Sequence, residues 1–184
     1  MIKKMSLSLV LPLFLFVACQ QKPTKSLEET VNAYGVETVL ADTRNSFFFT
    51  LSHIPGSINL ASEDFLILKN PKTKKRILDP DLEQTIEHLA RKGLHPDRKI
   101  ILLADSKDSV ENKKWNWLLK SLGLGNIEVM SLAEFNKIHP NSRYANPSRA
   151  EIWDIKLSPE LQQEFILSKA AECFVGWSEK KCKS

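Results

Sequence analysis

Val39-Leu40-Ala41-Asp42-Thr43-Arg44, followed at a short interval by Leu51-Ser52-His53-Ile54-Pro55-Gly56-Ser57-Ile58-Asn59-Leu60, is the stretch that decides the fold. Thr38-Val39-Leu40-Ala41 reads as a short buried strand that ends at Asp42. His53-Ile54-Pro55-Gly56 reads as a turn, because Pro fixes φ and Gly supplies a permissive backbone. Ser57-Ile58-Asn59-Leu60 is then a second short strand.

Working outward, helices and strands alternate. Upstream, Ser26 and Glu29 form a capping box and Gly35 is a stop signal, with Leu27, Val31 and Tyr34 on one helical face. Downstream, Ser62-Glu63-Asp64 opens a helix through about Leu68, with acids in the first turn where the helix dipole favours them. Asn70 to Ile77 is basic and polar and is expected to be an exposed loop. Asp79-Pro80 caps a helix whose stripe is Leu82, Ile86 and Leu89, and Gly93 ends it. Ile100-Ile101-Leu102-Leu103-Ala104 is apolar throughout, as expected of a central strand covered on both faces. The polar run Asp105 to Ser109, with Asp108 as N-cap, leads into a helix bearing Trp115, Leu118, Leu119 and Leu122, stopped by Gly123. Ile127-Glu128-Val129-Met130 is a further strand, and Ser131 with Glu134 makes another capping box. Strands separated by helices imply βαβ units and a mostly parallel sheet. Residues 140–148 are polar and turn-rich. Ser158-Pro159 opens a last helix, whose face Ile166, Ala170, Cys173 and Trp177 is expected to dock on the domain.

The opening stretch resembles the first signature of rhodanese-like domains, in which a strand ends in Asp-x-Arg and a Gly-His-Ile-Pro-Gly-Ala turn follows. Asp42, Arg44, His53, Pro55 and Gly56 stand where that pattern requires them, with Ser52 and Ser57 replacing its Gly and Ala. The unit from Ile100 to Gly123, followed by Asn126-Ile127-Glu128-Val129, is similar to the strand, active loop and helix of the same family. The resemblance implies an α/β fold over residues 26–139: a central, mostly parallel sheet of about five strands flanked by helices. Even within the family the first signature is largely structural. As a plain reading, Asp42 and Arg44 are also compatible with a surface ion pair worth under about 1 kcal/mol.

Rhodanese chemistry needs a thiolate at the end of the central strand, in a tight loop whose N–H groups and following helix lower the thiol pKa. The matching segment here is Ala104-Asp105-Ser106-Lys107-Asp108-Ser109. Ala104 or, one position on, Asp105 takes the place of the Cys, no Arg stands late in the loop, and no Gly lies between Ala104 and Ser109. Asp105 and Asp108 would repel an anionic donor, with Lys107 offsetting only part of this. The resemblance therefore implies a vestigial active-site loop, no catalytic residue, no cofactor, and a binding or structural role with a protein partner at the former cleft. Two alternatives remain open from the sequence. One is a sulfurtransferase or thiol-redox protein using Cys173 or Cys182; the other is a hydrolase or phosphatase using Asp105 or Ser106.

The 184 residues carry a net charge of +4, 42% hydrophobic and 26% charged residues, six Gly and nine Pro, which excludes wholesale disorder and collagen-like repeats. Three Cys without a CxxC spacing exclude a disulfide scaffold and a zinc-ligand pattern, and no metal site is expected. Lys3 and Lys4 precede an apolar run from Leu7 to Ala18, too short for a spanning helix of roughly 20 residues but suited to a secretory leader. Phe16-Val17-Ala18-Cys19 resembles the lipobox of bacterial lipoproteins. That likeness implies a signal peptide over 1–18, lipidation and a membrane anchor at Cys19, a polar tether over 19–25, and a periplasm-facing place in the bacterial cell envelope. Gln20, not Asp, leans towards the outer membrane. Without the leader the charge is about +2, too mild to argue for nucleic acid. In an oxidising compartment Cys173 and Cys182 are candidates for a disulfide, against a buried Cys173 and a free Cys182. Residues 140–184 form a C-terminal extension of unassigned role.

Overall fold

A computed structural model describes residues 37–140, 144–155 and 174–177. Strand β1 (Thr38–Asp42) is followed by a six-residue helix α1 (Ser46–Leu51) and by β2 (Ile58–Asn59). A 3-10 turn at Ser62–Phe65 leads into an antiparallel ribbon of β3 (Leu66–Asn70) and β4 (Lys75–Leu78). Helix α2 (Leu82–Arg91), β5 (Lys99–Ala104), α3 (Val110–Ser121), β6 (Ile127–Ser131) and α4 (Leu132–Ile138) complete the body. The main sheet has the order β2-β1-β5-β6, and every pairing in it is parallel.

Alternation along β5 divides the core, because successive side chains of a strand point to opposite faces. Ile100 and Leu102 face α2 and α3, joining Ala41, Ile86, Leu89, Trp115 and Leu118. Ile101 and Leu103 face the other way, joining Leu40, Ile54, Met130 and Phe135. Both faces of β5 are thus covered, which is why its sequence is an unbroken apolar run. Residues 144–155 run along the ends of α2 and α3: Ala150 N–H donates to the Ala90 carbonyl at 2.9 Å, and Trp153 Nε1 to the Leu122 carbonyl at 2.9 Å. Phe174 is fully buried with its edge against Trp115, and Trp177 lies on Trp117 with ring centroids 5.6 Å apart.

The mostly parallel sheet flanked by helices is as expected, with four strands among the described residues. Other expectations need correction. The helix expected from Ser62 to Leu68 is a single 3-10 turn followed by β3, and the loop expected over 70–77 is mostly the turn and second strand of the ribbon. The ribbon forms because Phe65, Ile77 and Leu78 are buried, while its outer residues stay in water and look loop-like in sequence. The cap of α2 is Asp81, whose carboxylate accepts from Glu83 and Gln84 N–H, and Asp79 in turn accepts from Asp81 N–H. The expected helix over 26–34, and Ile166, Ala170 and Cys173 of the last helix face, lie outside the described residues.

Gly56 has φ +86°, and a Cβ built on it would lie 1.9 Å from the Tyr144 carbonyl oxygen. Gly56→Ala is expected to lower stability by about 2 kcal/mol or more in denaturant titration. Gly125→Ala, with open space around its Cβ position, is expected to stay within about 0.5 kcal/mol of the parent.

His88 stacks on Phe65 with centroids 4.3 Å apart. Burial first, then the charge of Lys92, pushes its pKa below the ordinary 6.5, with Asp64 opposing. The unfolded chain therefore binds this proton more readily than the native one. The stability that neutral His88 contributes is complete above about pH 6.5 and is lost as pH falls below it. The difference in unfolding free energy between the parent and His88→Gln should shrink from about pH 7.5 to about pH 5; a flat difference would contradict this.

Candidate functional site

All four strands of the main sheet are parallel, so their C-terminal ends share one edge. From β1 the chain passes to β2 on one side, and from β5 to β6 on the other. The ends of β1 and β5 therefore flank the topological switch point, the place at which open α/β sheets hold their ligands in a crevice. Asp42, Thr43 and Arg44 stand on one side of it, Asp42 and Thr43 buried, and the buried Ala104 with the exposed loop that follows stands on the other.

Asp42 is fully buried. Its carboxylate accepts from Arg44 Nε at 3.0 and 3.2 Å, from Arg44 Nη2 at 2.7 Å and from the Arg44 backbone N–H at 3.0 Å. This overturns the surface-pair reading, because a buried carboxylate without such partners would cost several kcal/mol. Arg44 Nη2 also donates to the Ser52 carbonyl at 2.6 Å, and Nη1 reaches Asp105 Oδ1 at 3.3 Å across the crevice. The hydrogen bonds to Asp42, opposed by burial and assisted by the charges of Asp42 and Asp105, raise the Arg44 pKa further above its ordinary value. The guanidinium is charged at every working pH.

Behind this pair lies a second link. Thr43 Oγ1 lies 2.8 Å from Asn112 Oδ1 and 3.2 Å from the Leu103 carbonyl, and can donate to either. Asn112 is fully buried near the start of α3, and its Nδ2 donates to the Ser106 carbonyl at 3.2 Å. Ser109, not Asp108, caps α3: its Oγ accepts from Asn112 N–H at 3.1 Å. Asp108 N–H donates to Ser106 Oγ instead. The loop is closed without glycine and without a positive φ; among the described non-glycine residues positive φ occurs only at Lys74.

Sequence-predicted residues separate into those brought together and those that are not. Asp42, Arg44 and Asp105 converge. Ala104 is buried at the end of β5, and Ser106, Lys107 and Asp108 are exposed along the loop. His53 stays outside the crevice: its Nδ1–H donates to the Phe49 carbonyl at 2.9 Å and its ring stacks on Phe49. Pro55 and Gly56 shape the turn that meets Tyr144. Cys19, Cys173 and Cys182 lie outside the described residues. Thr43 and Asn112 were missed. Asn112 carried a legible signal: it precedes Trp115 by three positions and Leu119 by seven, so a polar residue interrupts the buried stripe. Among the described residues no group of three or more His, Cys, Asp or Glu could hold a metal ion.

A groove of about 890 Å³ between α2 and residues 152–155 is lined by no residue of this loop. We place the candidate site at the switch point because there two walls are tied to one another by named polar contacts.

The family model for rhodanese-like domains matches residues 24–134, more than half of the chain. The chain therefore belongs to the rhodanese-like family, and the parallel sheet flanked by helices is that family's α/β fold. A search of curated proteins found no match.

Arg44→Ala should strip the buried Asp42 of its partner and lower stability by about 3–5 kcal/mol. Asp42→Ala combined with Arg44→Ala should recover part of that loss, as a double-mutant cycle by chemical denaturation would read.

Proposed function

We propose that this chain is a catalytically silent rhodanese-like module, lipid-anchored at Cys19, that faces the periplasm from the outer membrane and binds a protein partner at its switch-point crevice. The observation that carries the reading is the end of β5. Ala104 closes the strand, and the next residue, Asp105, is engaged by Arg44 across the crevice. Sulfur transfer from thiosulfate requires a thiolate to attack the outer sulfur, form a persulfide and release sulfite; a nucleophile then takes the sulfur from the persulfide. A methyl group cannot attack, and a carboxylate paired with a guanidinium offers no sulfur. The loop's charges, Asp105, Asp108 and Lys107, also favour a polypeptide with hydrogen-bonding groups over a small dianion.

Support for the anchor comes from the sequence at 1–25. No described helix is long and apolar enough to cross a membrane. In this reading attachment is through the lipid on Cys19. Multiple acyl chains bury enough CH₂ groups, at roughly 0.8 kcal/mol each, to hold a protein of this size.

The full chain, assayed for thiocyanate formation from thiosulfate and cyanide, should not exceed the no-enzyme blank. Activity that survives Cys173→Ser with Cys182→Ser would defeat the silent reading. Activity abolished by those substitutions would establish a sulfurtransferase that works from the C-terminal extension.

A further inference from the structure

Helix α1, Ser46-Phe47-Phe48-Phe49-Thr50-Leu51, is short, capped by the Asn45 side chain, and has no buried residue. Phe47 is 67% exposed, Phe48 47% and Leu51 66%. Single exposed apolar residues are ordinary, but three on one six-residue helix form a contiguous patch that water solvates poorly. Between Asn45 and Ser52 no residue is charged. The flanking charge, Arg44, is matched by Asp42.

We infer that α1 is a membrane-docking element whose Phe47, Phe48 and Leu51 enter the interfacial layer of a bilayer. This rests on the lipid-anchor reading for its occupant. Cys19 precedes the first described residue, Glu37, by eighteen positions, a reach of at most about 65 Å even if fully extended. A chain acylated at Cys19 therefore keeps the bilayer surface close to the domain at all times. Phe and Leu on an otherwise uncharged helix are the side chains that partition into that layer, and each adds apolar burial to the acyl anchor. A specific protein interface sets its register with charged and hydrogen-bonding groups at its rim. The rim of this patch carries no charge within α1, only the short hydroxyls of Ser46 and Thr50, the latter already bonded to the Ser46 carbonyl, which suits a fluid apolar phase better than a defined partner. Because α1 joins the crevice through Arg44 and the Ser52 carbonyl, docking it would hold the mouth of the candidate site at a fixed attitude to the membrane.

The test uses the full chain produced in a bacterium, with the photo-crosslinker p-benzoylphenylalanine at position 48, in a second protein at position 47, and in a control at Leu68, an exposed apolar residue of β3. The purified mature proteins are reconstituted into vesicles of phosphatidylethanolamine and phosphatidylglycerol, irradiated and analysed by mass spectrometry. We expect phospholipid adducts at 47 and 48, several-fold above those at 68 and insensitive to added salt. Equal yields at all three positions, adducts to protein, or no adducts would overturn the proposal. The mass of the N-terminal Cys19 peptide is read in the same samples. An unmodified Cys19 would remove the anchor reading alone, since crosslinking to vesicles added to the protein still decides what α1 contacts.

Discussion

The buried carboxylate of Asp42 is the constraint on which the site depends. A charge at the end of β1, sealed from water, is tolerable only if its lone pairs are used, and Arg44 supplies both a guanidinium fork and its own backbone N–H. Asn59 Nδ2 reinforces the turn by donating to the carbonyls of Asp42 and Arg44, so the end of β2 is tied to the same corner. Once Arg44 is fixed in this way, its remaining N–H groups have defined directions. One meets the Ser52 carbonyl at the end of α1 and another meets Asp105. The positions of the aromatic helix and of the loop thus follow from one desolvated charge.

The second link, Thr43 to Asn112 to the Ser106 carbonyl, explains how a loop without glycine keeps its shape. The backbone from Asp105 to Ser109 is held from behind by an amide buried in α3, not by an unusual φ. Such a loop loses little conformational freedom when something binds to it, and that saving appears directly as affinity. That preorganisation is consistent with the binding role proposed above. Beside it, Ser62 Oγ donates to Glu111 at 2.6 Å, and Glu111 pairs with the buried Lys114 at 2.7 Å.

Local sequence carried the strands β1 and β5, the stripe of α2 and the capping box at Ser131, because each is set by neighbours within a few residues. It failed where burial is one-sided or distant. The ribbon β3–β4 carries Lys69, Lys75 and Arg76 on exposed positions, so only Ile77 and Leu78 betray it. Helix α1 has no amphipathic pattern because it has no buried face. The caps of α2 and α3 were displaced from Asp79 and Asp108 to Asp81 and Ser109, since two capping residues within one turn compete and backbone geometry selects between them. Thr43 and Asn112 are 69 positions apart, and Arg44 and Asp105 are 61. Pairings at that separation exist only once the sheet has brought β1 beside β5.

If the switch point binds a partner as proposed, the sharing of Arg44 also bears on what it would accept. A guanidinium presents a full positive field to an incoming anion only when its charge is not already opposed. Here Asp42 holds one side of it from the interior and Asp105 meets another from the mouth. With Asp108 adding a further carboxylate and Lys107 a single ammonium, the immediate surroundings sum to an excess of negative charge. An anion entering would have to displace Asp105 from Arg44 and still face Asp108, whereas a peptide N–H or a lysine side chain could accept the carboxylates as they stand. In the proposed reading, a loop without Cys and with an acid after Ala104 acts in one direction: each feature withholds one requirement of sulfur transfer, and together they would favour hydrogen-bond donors.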